Sequence, residues 1–289
     1  MKEVSIIGAG GKMGSWFINF FSHKKDITLK IFDINPESLK GIHNSIVAYT
    51  IEDCVKSSDV VILCVPLRVT AKMIEKCSNL MKPKSILLEI SSIKNKSFNE
   101  LMNIHNKIVP ICIHPMFGPG ASILKKLKII FIPVKNRQKE IRIVKKIFPG
   151  FQIFEVKDVD LHDRMMSIVL GLTYFINILF IDAIKDENYN DLLTFGGTTF
   201  RIQSIISESI LNDDLHLISS LLFDNFFFQK ELLKFNKSLN EYKKLINNQN
   251  KSKFLKNLTN LKSSAQSSKD LGVSYSKMYK FMNILENPH

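Results

Sequence analysis

Arginine is scarce in this 289-residue chain. All but five of its 40 Lys and Arg residues are lysine, and the five (Arg68, Arg137, Arg142, Arg164 and Arg201) are scattered. Recognition of bases and phosphates favours arginine forks and basic runs interleaved with aromatics. The formal net charge of +13 therefore reads as a lysine-rich solvated surface with a general pull on small anions, not as a nucleic-acid footprint. Cysteine is also sparse: Cys54, Cys64, Cys77 and Cys112 form no CxxC pair and no zinc spacing, so the pattern offers no metal site. Cys64 and Cys112 sit inside apolar runs, where a thiol behaves as a small hydrophobe, and this suits a reducing cytoplasm. The opening MKEVSIIGAGG lacks the apolar core and cleavage site of a signal peptide. The longest apolar run, Ile168–Ile184, is interrupted by Thr173, Asn177 and Asp182 and is expected to be a buried helix, not a membrane span. A soluble cytoplasmic protein with no membrane partner is the expectation.

Glycine and proline thin out past about Asp158, where Gly171, Gly196, Gly197, Gly272 and Pro288 remain. Before that point short β-branched runs alternate with helical stretches, which predicts a parallel sheet wound with crossovers. The predicted strands are Val4–Gly8, Thr28–Asp33, Val60–Pro66, Ser85–Ser91, Val109–His114, Ile129–Val134 and Phe151–Val156. Several are apolar throughout, as expected when helices cover both faces of a sheet. After that point periodic apolar residues over His162–Ile184, Thr198–Leu211, Leu215–Ile246 and Phe254–Leu285 predict an all-helical part. Residues 1–157 are thus expected to form an α/β domain and 158–289 a helical one. The stretch LLFDNFFFQKELLKF, Leu221–Phe235, is apolar nearly all round and is expected to be buried in a core or against a partner subunit.

The first glycine cluster, SIIGAGGKMG, follows a strand and precedes a helical pattern. Such a turn lets backbone amides at a helix N-terminus approach a pyrophosphate. Gly8, Gly10 and Gly14 are one residue wide of the G-x-G-x-x-G spacing; the tight spelling uses Ala9, Gly11 and Gly14. Asp33 closes the next predicted strand nineteen positions after Gly14, where an acid binds a ribose 2′-hydroxyl and repels a 2′-phosphate. NAD is therefore favoured over NADP. Gly8, Ala9, Gly10, Gly11, Lys12, Met13, Gly14 and Asp33 form the candidate cofactor set, joined by Val65 and Pro66 at the end of the third strand.

Ligands of a doubly wound sheet bind at the carboxyl ends of its strands. Two of these ends carry reactive groups: Ser91-Ser92-Ile93-Lys94 after one strand, and His114 at the end of another. A histidine accepts a proton near neutral pH, and a nearby hydroxyl can orient its partner. Pro115 keeps His114 extended, and Gly118, Pro119 and Gly120 are expected to make a tight, close-approach turn that pins it. A histidine satisfied structurally at a strand end gives the same pattern.

GAGGKMGSWF, VPLRVT, SSIKNK, IHPMFGPG and LHDRMMSIVLGLTYF, in this order and at these spacings, resemble the prephenate/arogenate dehydrogenase family. The resemblance is strongest over Val4–Tyr174 and weak after about Ser207. It implies a Rossmann-like domain followed by an all-α dimerisation domain, and an NAD(P)-linked oxidative decarboxylation that makes the tyrosine precursor. It also implies that His114 accepts the proton of the substrate's ring hydroxyl and that Ser92 holds the same hydroxyl. A carboxylate substrate needs cations, for which Arg201, Arg68 and Lys94 are the candidates, and Tyr174 completes the candidate substrate-binding set. Departures from the family pattern are the lack of Arg or Lys between Ile202 and Asn212, Tyr174 in place of a histidine, Leu170 in place of a glutamine, and Gly120 in place of an acid. His162-Asp163-Arg164 opens a helix, where Asp163 is expected to cap and to favour the dipole. A same-fold dehydrogenase acting on another small carboxylate, or a non-catalytic NAD-binding homologue, are the competing expectations.

Overall fold

The structure, a computed structural model, describes residues 2–123, 126–267 and 270–286; the last residues of the expected second domain, 287–289, lie outside that range. Two compact units are present: Met1–Met166 with Ser219–Asn225, and Ser167–Ile218 with Phe226–His289.

The first unit is an α/β sheet domain. In chain order it comprises β1 (Glu3–Ile7), α1 (Lys12–Ser22), β2 (Thr28–Phe32), β3 (Ile46–Val47), α2 (Ile51–Val55), β4 (Val60–Leu63) and α3 (Leu67–Leu80). These are followed by β5 (Ile86–Glu89), α4 (Asn95–Asn103), β6 (Val109–Pro115), β7 (Lys128–Ile132), α5 (Arg137–Ile147), β8 (Gln152–Glu155) and α6 (Val159–Met166). The strand order is β3-β2-β1-β4-β5-β6-β7-β8. Neighbours are parallel except β6 and β7, which pair antiparallel with His114 opposite Ile130. The expected parallel sheet is thus present, with one antiparallel pair within it. A parallel return needs a crossover of a dozen or more residues, usually a helix, and the segment between β6 and β7 has no described helix.

Alternate residues of each central strand feed opposite cores, which is why these strands are apolar throughout. Val4, Ile6, Val60, Ile62, Ile111 and Ile113 face one side; Ile7, Val61, Leu63 and Cys112 face the other. The first core is aromatic. Trp16 stacks on Phe20 at a centroid separation of 5.4 Å and tilts against Phe117 at 4.7 Å, and Trp16 Nε1 donates to the Ala121 carbonyl at 2.9 Å. Such ring pairs add about 0.5–1.5 kcal/mol each beyond area burial. The phenylalanine of the HPMF segment is therefore an anchor that ties this segment to α1.

The second unit is helical: α7 (Thr173–Ile184), α8 (Tyr189–Phe195), α9 (Thr198–Leu211), α10 (Leu215–Phe223), α11 (Phe228–Asn247), α12 (Lys251–Gln266) and α13 (Leu271–Glu286), with α10 running into the segment assigned to the first unit. A π-helical segment, Ser167–Leu172, leads into α7. A Cβ on Gly171 in that segment would lie 2.7 Å from the Phe228 ring, so glycine there admits the aromatic core of Phe175, Phe228 and Phe235. Asn177 on α7 accepts from Gln203 and Ser207 of α9, at 2.7 Å each.

One burial expectation needs correction. The run Val159–Ile184 is long and apolar enough, by length and composition alone, to cross a membrane; an 18-residue window within it has mean hydropathy 2.0, and only 17% of that window is buried within the chain. It is not the buried helix expected. The Phe-rich stretch is broken between α10 and α11, with Leu221 and Phe228 buried but Phe223 and Phe226 exposed.

Candidate active site

The glycine turn joins β1 to α1. Gly8 adopts φ +81 and donates to the Phe32 carbonyl at 2.9 Å; a Cβ there would come within 2.4 Å of the Cys64 carbonyl oxygen. A Cβ on Gly14 would lie 2.3 Å from the Gly8 carbonyl oxygen. Backbone therefore packs on backbone here, and side chains have no room. Gly11 caps α1 without a side-chain hydrogen bond, and a helix N-terminus is a place where backbone N–H groups can receive an anion. Asp33 Oδ2 accepts from the Gly10 amide at 2.9 Å, and its Oδ1 accepts from Asn35 at 2.9 Å. The acid is thus fixed at the turn, with lone pairs remaining for a hydroxyl. Lys12 and Met13 open α1, and Val65 lies beside Gly8. Pro66 precedes α3, whose first turn carries the exposed Arg68. A bare turn, an uncapped helix start and a fixed acid fit a dinucleotide.

The end of the sheet next to this turn holds a buried network. β5 and β6 are parallel neighbours with Glu89 opposite Cys112, so Ser92 and His114 leave the sheet at the same edge. His114 is buried, and its Nδ1 lies 3.1 Å from Nε2 of His162. His162 Nδ1 lies 2.8 Å from Asp163 Oδ1. The Asp163 carboxylate accepts the backbone N–H groups of Lys94, at 2.9 Å, and Asn95, at 2.9 Å. It therefore caps α4 across the fold, and not its own helix as the sequence suggested. Asn225 Nδ2 donates to the Asp163 carbonyl at 2.8 Å. Burial, followed by the neighbouring His162 and Lys94, holds His114 well below the ordinary histidine value. His162 is also lowered by burial, against the opposing pull of Asp163. Both rings are thus neutral near pH 7, and a neutral ring can accept a proton.

Lys94 differs from expectation. Its ammonium is fully buried and donates to Glu89 Oε2 at 2.6 Å and to the Ile113 carbonyl at 2.5 Å. It serves the interior, not a substrate carboxylate, because a buried ammonium needs its countercharge close by. Glu89 was not foreseen; a single acid in the apolar run SILLEIS was its only signal. Gly118 and Gly120 are exposed, lack positive φ, and would meet none of the described residues within 4 Å if given a Cβ. The expected tight turn is present, with the Ala121 amide donating to the Gly118 carbonyl at 3.0 Å, but these glycines make no close approach to the described residues. His114 is instead held by its place within β6, by β7 and by His162. Ser92 lies in the link between β5 and α4, partly exposed.

The second unit carries the other two candidates. Tyr174 on α7 donates to Asp213 Oδ2 at 2.7 Å; burial, then Asp213, raises its hydroxyl above the ordinary tyrosine value. Arg201 is exposed on the first turn of α9. The four cysteines are free, and burial pushes their thiols up, to about 11 at Cys54 and about 12 at Cys77.

Residues 22–152 match the family model for the nucleotide-binding domain of prephenate dehydrogenase, and residues 158–260 match that for its dimerization domain. A probable arogenate/prephenate dehydrogenase of Methanocaldococcus jannaschii is 28% identical over 196 residues, which are 64% of this chain and 43% of that protein. The T-protein of Haemophilus influenzae is 20% identical over 228 residues, 78% of this chain and 56% of that one. The chain spans about half the length of the curated relatives it matches. Prephenate dehydrogenase from Aquifex aeolicus, solved with hydroxyphenyl propionate and NAD+, superposes with a TM-score of 0.73 at 24% identity, covering 93% of this chain and 99% of that one. Synechocystis arogenate dehydrogenase gives a TM-score of 0.67 at 14% identity, covering 92% and 99%. At such identities the structural likeness shows a shared fold.

Proposed function

The chain belongs to the prephenate dehydrogenase family, and on that premise we propose that it catalyses the NAD-dependent oxidative decarboxylation of prephenate or arogenate. The products are 4-hydroxyphenylpyruvate or tyrosine. The carbon bearing the ring hydroxyl loses hydride, the hydroxyl loses its proton, and the bond to the ring carboxylate breaks to release carbon dioxide. That bond's electron pair completes the aromatic ring, and the oxygen finally takes a proton back. NAD, when bound, supplies the hydride acceptor.

The chain's own residues supply positioning and a proton acceptor. The Gly8–Gly14 turn and the start of α1 hold the pyrophosphate, and Asp33 holds the ribose diol, which favours NAD over NADP. His114 accepts the hydroxyl proton and Ser92 orients that hydroxyl. Aromatisation drives the step, so a fixed base matters more than a strong one. The observation that carries this reading is His114 itself: buried, neutral and held at the carboxyl edge of the sheet beside the glycine turn. Arg68 and Arg201 are the candidate carboxylate partners. The exposed apolar side chains of the helical unit, among them Phe195, Leu215, Phe226 and Leu233, read as the interface of a homodimer, in keeping with the match to a dimerization domain. Free, buried thiols accord with a cytoplasmic location.

The test follows NADH absorbance with NAD and prephenate, then with arogenate. Turnover on one of them, with kcat lowered about 10²–10⁴-fold in His114→Asn, is the expected outcome. No turnover on either substrate, with NAD bound by calorimetry, refutes it. The lack of Arg or Lys between Ile202 and Asn212 favours, as a second reading, a same-fold dehydrogenase acting on another small carboxylate; that result would point to it.

A further inference from the structure

Three candidates stand apart from the cofactor turn and the substrate cations. The shallow cavity lined by Lys82, Lys84 and Lys146 has its lysines at the surface and one of them already paired with Asp59. The exposed apolar helix faces restate the dimerization domain. The buried chain from Asp163 through His162 to His114 is different, because each of its links has a direction.

An ionised carboxylate can only accept hydrogen bonds. Asp163 already accepts the N–H groups of Lys94 and Asn95, so the 2.8 Å contact with His162 requires the imidazole Nδ1 to donate. A neutral His162 then has its lone pair on Nε2. That lone pair faces Nδ1 of His114 at 3.1 Å, so His114 Nδ1 must carry the proton. His114 Nε2 is consequently an acceptor. The opposite tautomer would present an N–H to the substrate hydroxyl and could not take its proton.

We propose that Asp163 and His162 are positioning residues that fix the tautomer of His114, so that its Nε2 is always the free base. This rests on the assignment of His114 as proton acceptor made above, but the tautomer can be read without turnover. The charged and titratable groups that face the chain include Lys94, whose ammonium is paired with Glu89, and the Cys112 thiol beside that pair. The relay also explains why a helix cap is built from a residue next to a histidine. The two backbone N–H groups fix the carboxylate, and the carboxylate fixes the ring.

The experiment records long-range proton–nitrogen correlations of the full chain with 15N-histidine near pH 7.5, with His114 assigned by its loss in His114→Asn. The wild-type spectrum is expected to show His114 protonated on Nδ1 and bare on Nε2. In Asp163→Asn the amide oxygen keeps the N–H groups of Lys94 and Asn95, and the amide nitrogen turns to His162. Both rings should then invert, and kcat should fall about 10²–10⁴-fold with KM changed less than about threefold. His162→Phe, which keeps a ring but no acceptor, should lose the preference, and His162→Gln should recover part of it through its carbonyl oxygen. Wild-type His114 protonated on Nε2 would overturn the relay. So would an unchanged His114 tautomer in Asp163→Asn and His162→Phe. Tautomers as expected with no turnover on prephenate or arogenate would leave the relay standing and remove the proposed substrate. Turnover with an unmoved tautomer would do the reverse.

Discussion

Replacing Lys94 by Met tests the interior of the site and its chemistry together. Lys94 and Glu89 have no exposed side-chain surface, with Nζ 2.6 Å from Oε2. At an effective dielectric of about 20 their attraction is about 6 kcal/mol, and desolvating the two ions costs several kcal/mol each, so the intact pair is close to neutral in net stability. Methionine fits the stem of lysine but strands the Glu89 carboxylate, which keeps only the N–H of Ser91 at 2.5 Å and the weak thiol donor Cys112. The expected loss is about 3–5 kcal/mol, or a urea midpoint lowered by about 1–2 M. Glu89→Leu alone should lose a similar amount by stranding the ammonium. The double variant should recover most of it, because both charges are then gone. In any variant that remains folded, the acid limb of kcat/KM should also move to higher pH, since Lys94 is one of the charges that disfavour the His114 imidazolium. Single variants that each lose less than about 1 kcal/mol, or a double variant as unstable as the sum of the singles, would refute this account of the pair.

Stability should fall on acidification, because His114 and His162 both titrate lower in the folded chain than when unfolded. The unfolded chain binds protons first, so the loss begins near pH 6.5 and steepens below it by up to about 1.4 kcal/mol per pH unit for each ring; denaturation between pH 8 and 5 reads this, and a flat profile would contradict the burial. Gly14→Ala should destabilise the turn by about 1–3 kcal/mol and weaken NAD binding by calorimetry, since its Cβ would lie 2.3 Å from the Gly8 carbonyl oxygen. Gly118→Ala and Gly120→Ala, with none of the described residues within 4 Å of the new Cβ, should leave both stability and binding nearly unchanged or slightly improved.

Strand positions were legible in the sequence because apolar runs such as VVIL and VPICIHP are buried on both faces and need no periodic contrast to be recognised. β3 escaped notice because Ile46–Val47 is two residues long and exposed. The reversal at β7 is a matter of connection, not composition. The link from β6 to β7 carries Phe117 to Trp16 and Ala121 to the same indole, and nothing in the pattern of Lys128–Ile132 states which way that strand runs. Single reactive groups at strand ends, such as Ser92 and His114, were legible from their order along the chain. Their partners were not, since His162 comes 48 positions after His114 and Asp163 caps a helix start 69 positions before it. A local reading of HDR finds a cap for its own helix, which is the cheapest use of an aspartate there. Only the fold shows that α6 brings this carboxylate to the start of α4 and its histidine to the end of β6. The histidine at the end of β6 is thereby met by a second histidine. The glycines and proline that follow His114 in sequence matter less than the ring that meets it from α6.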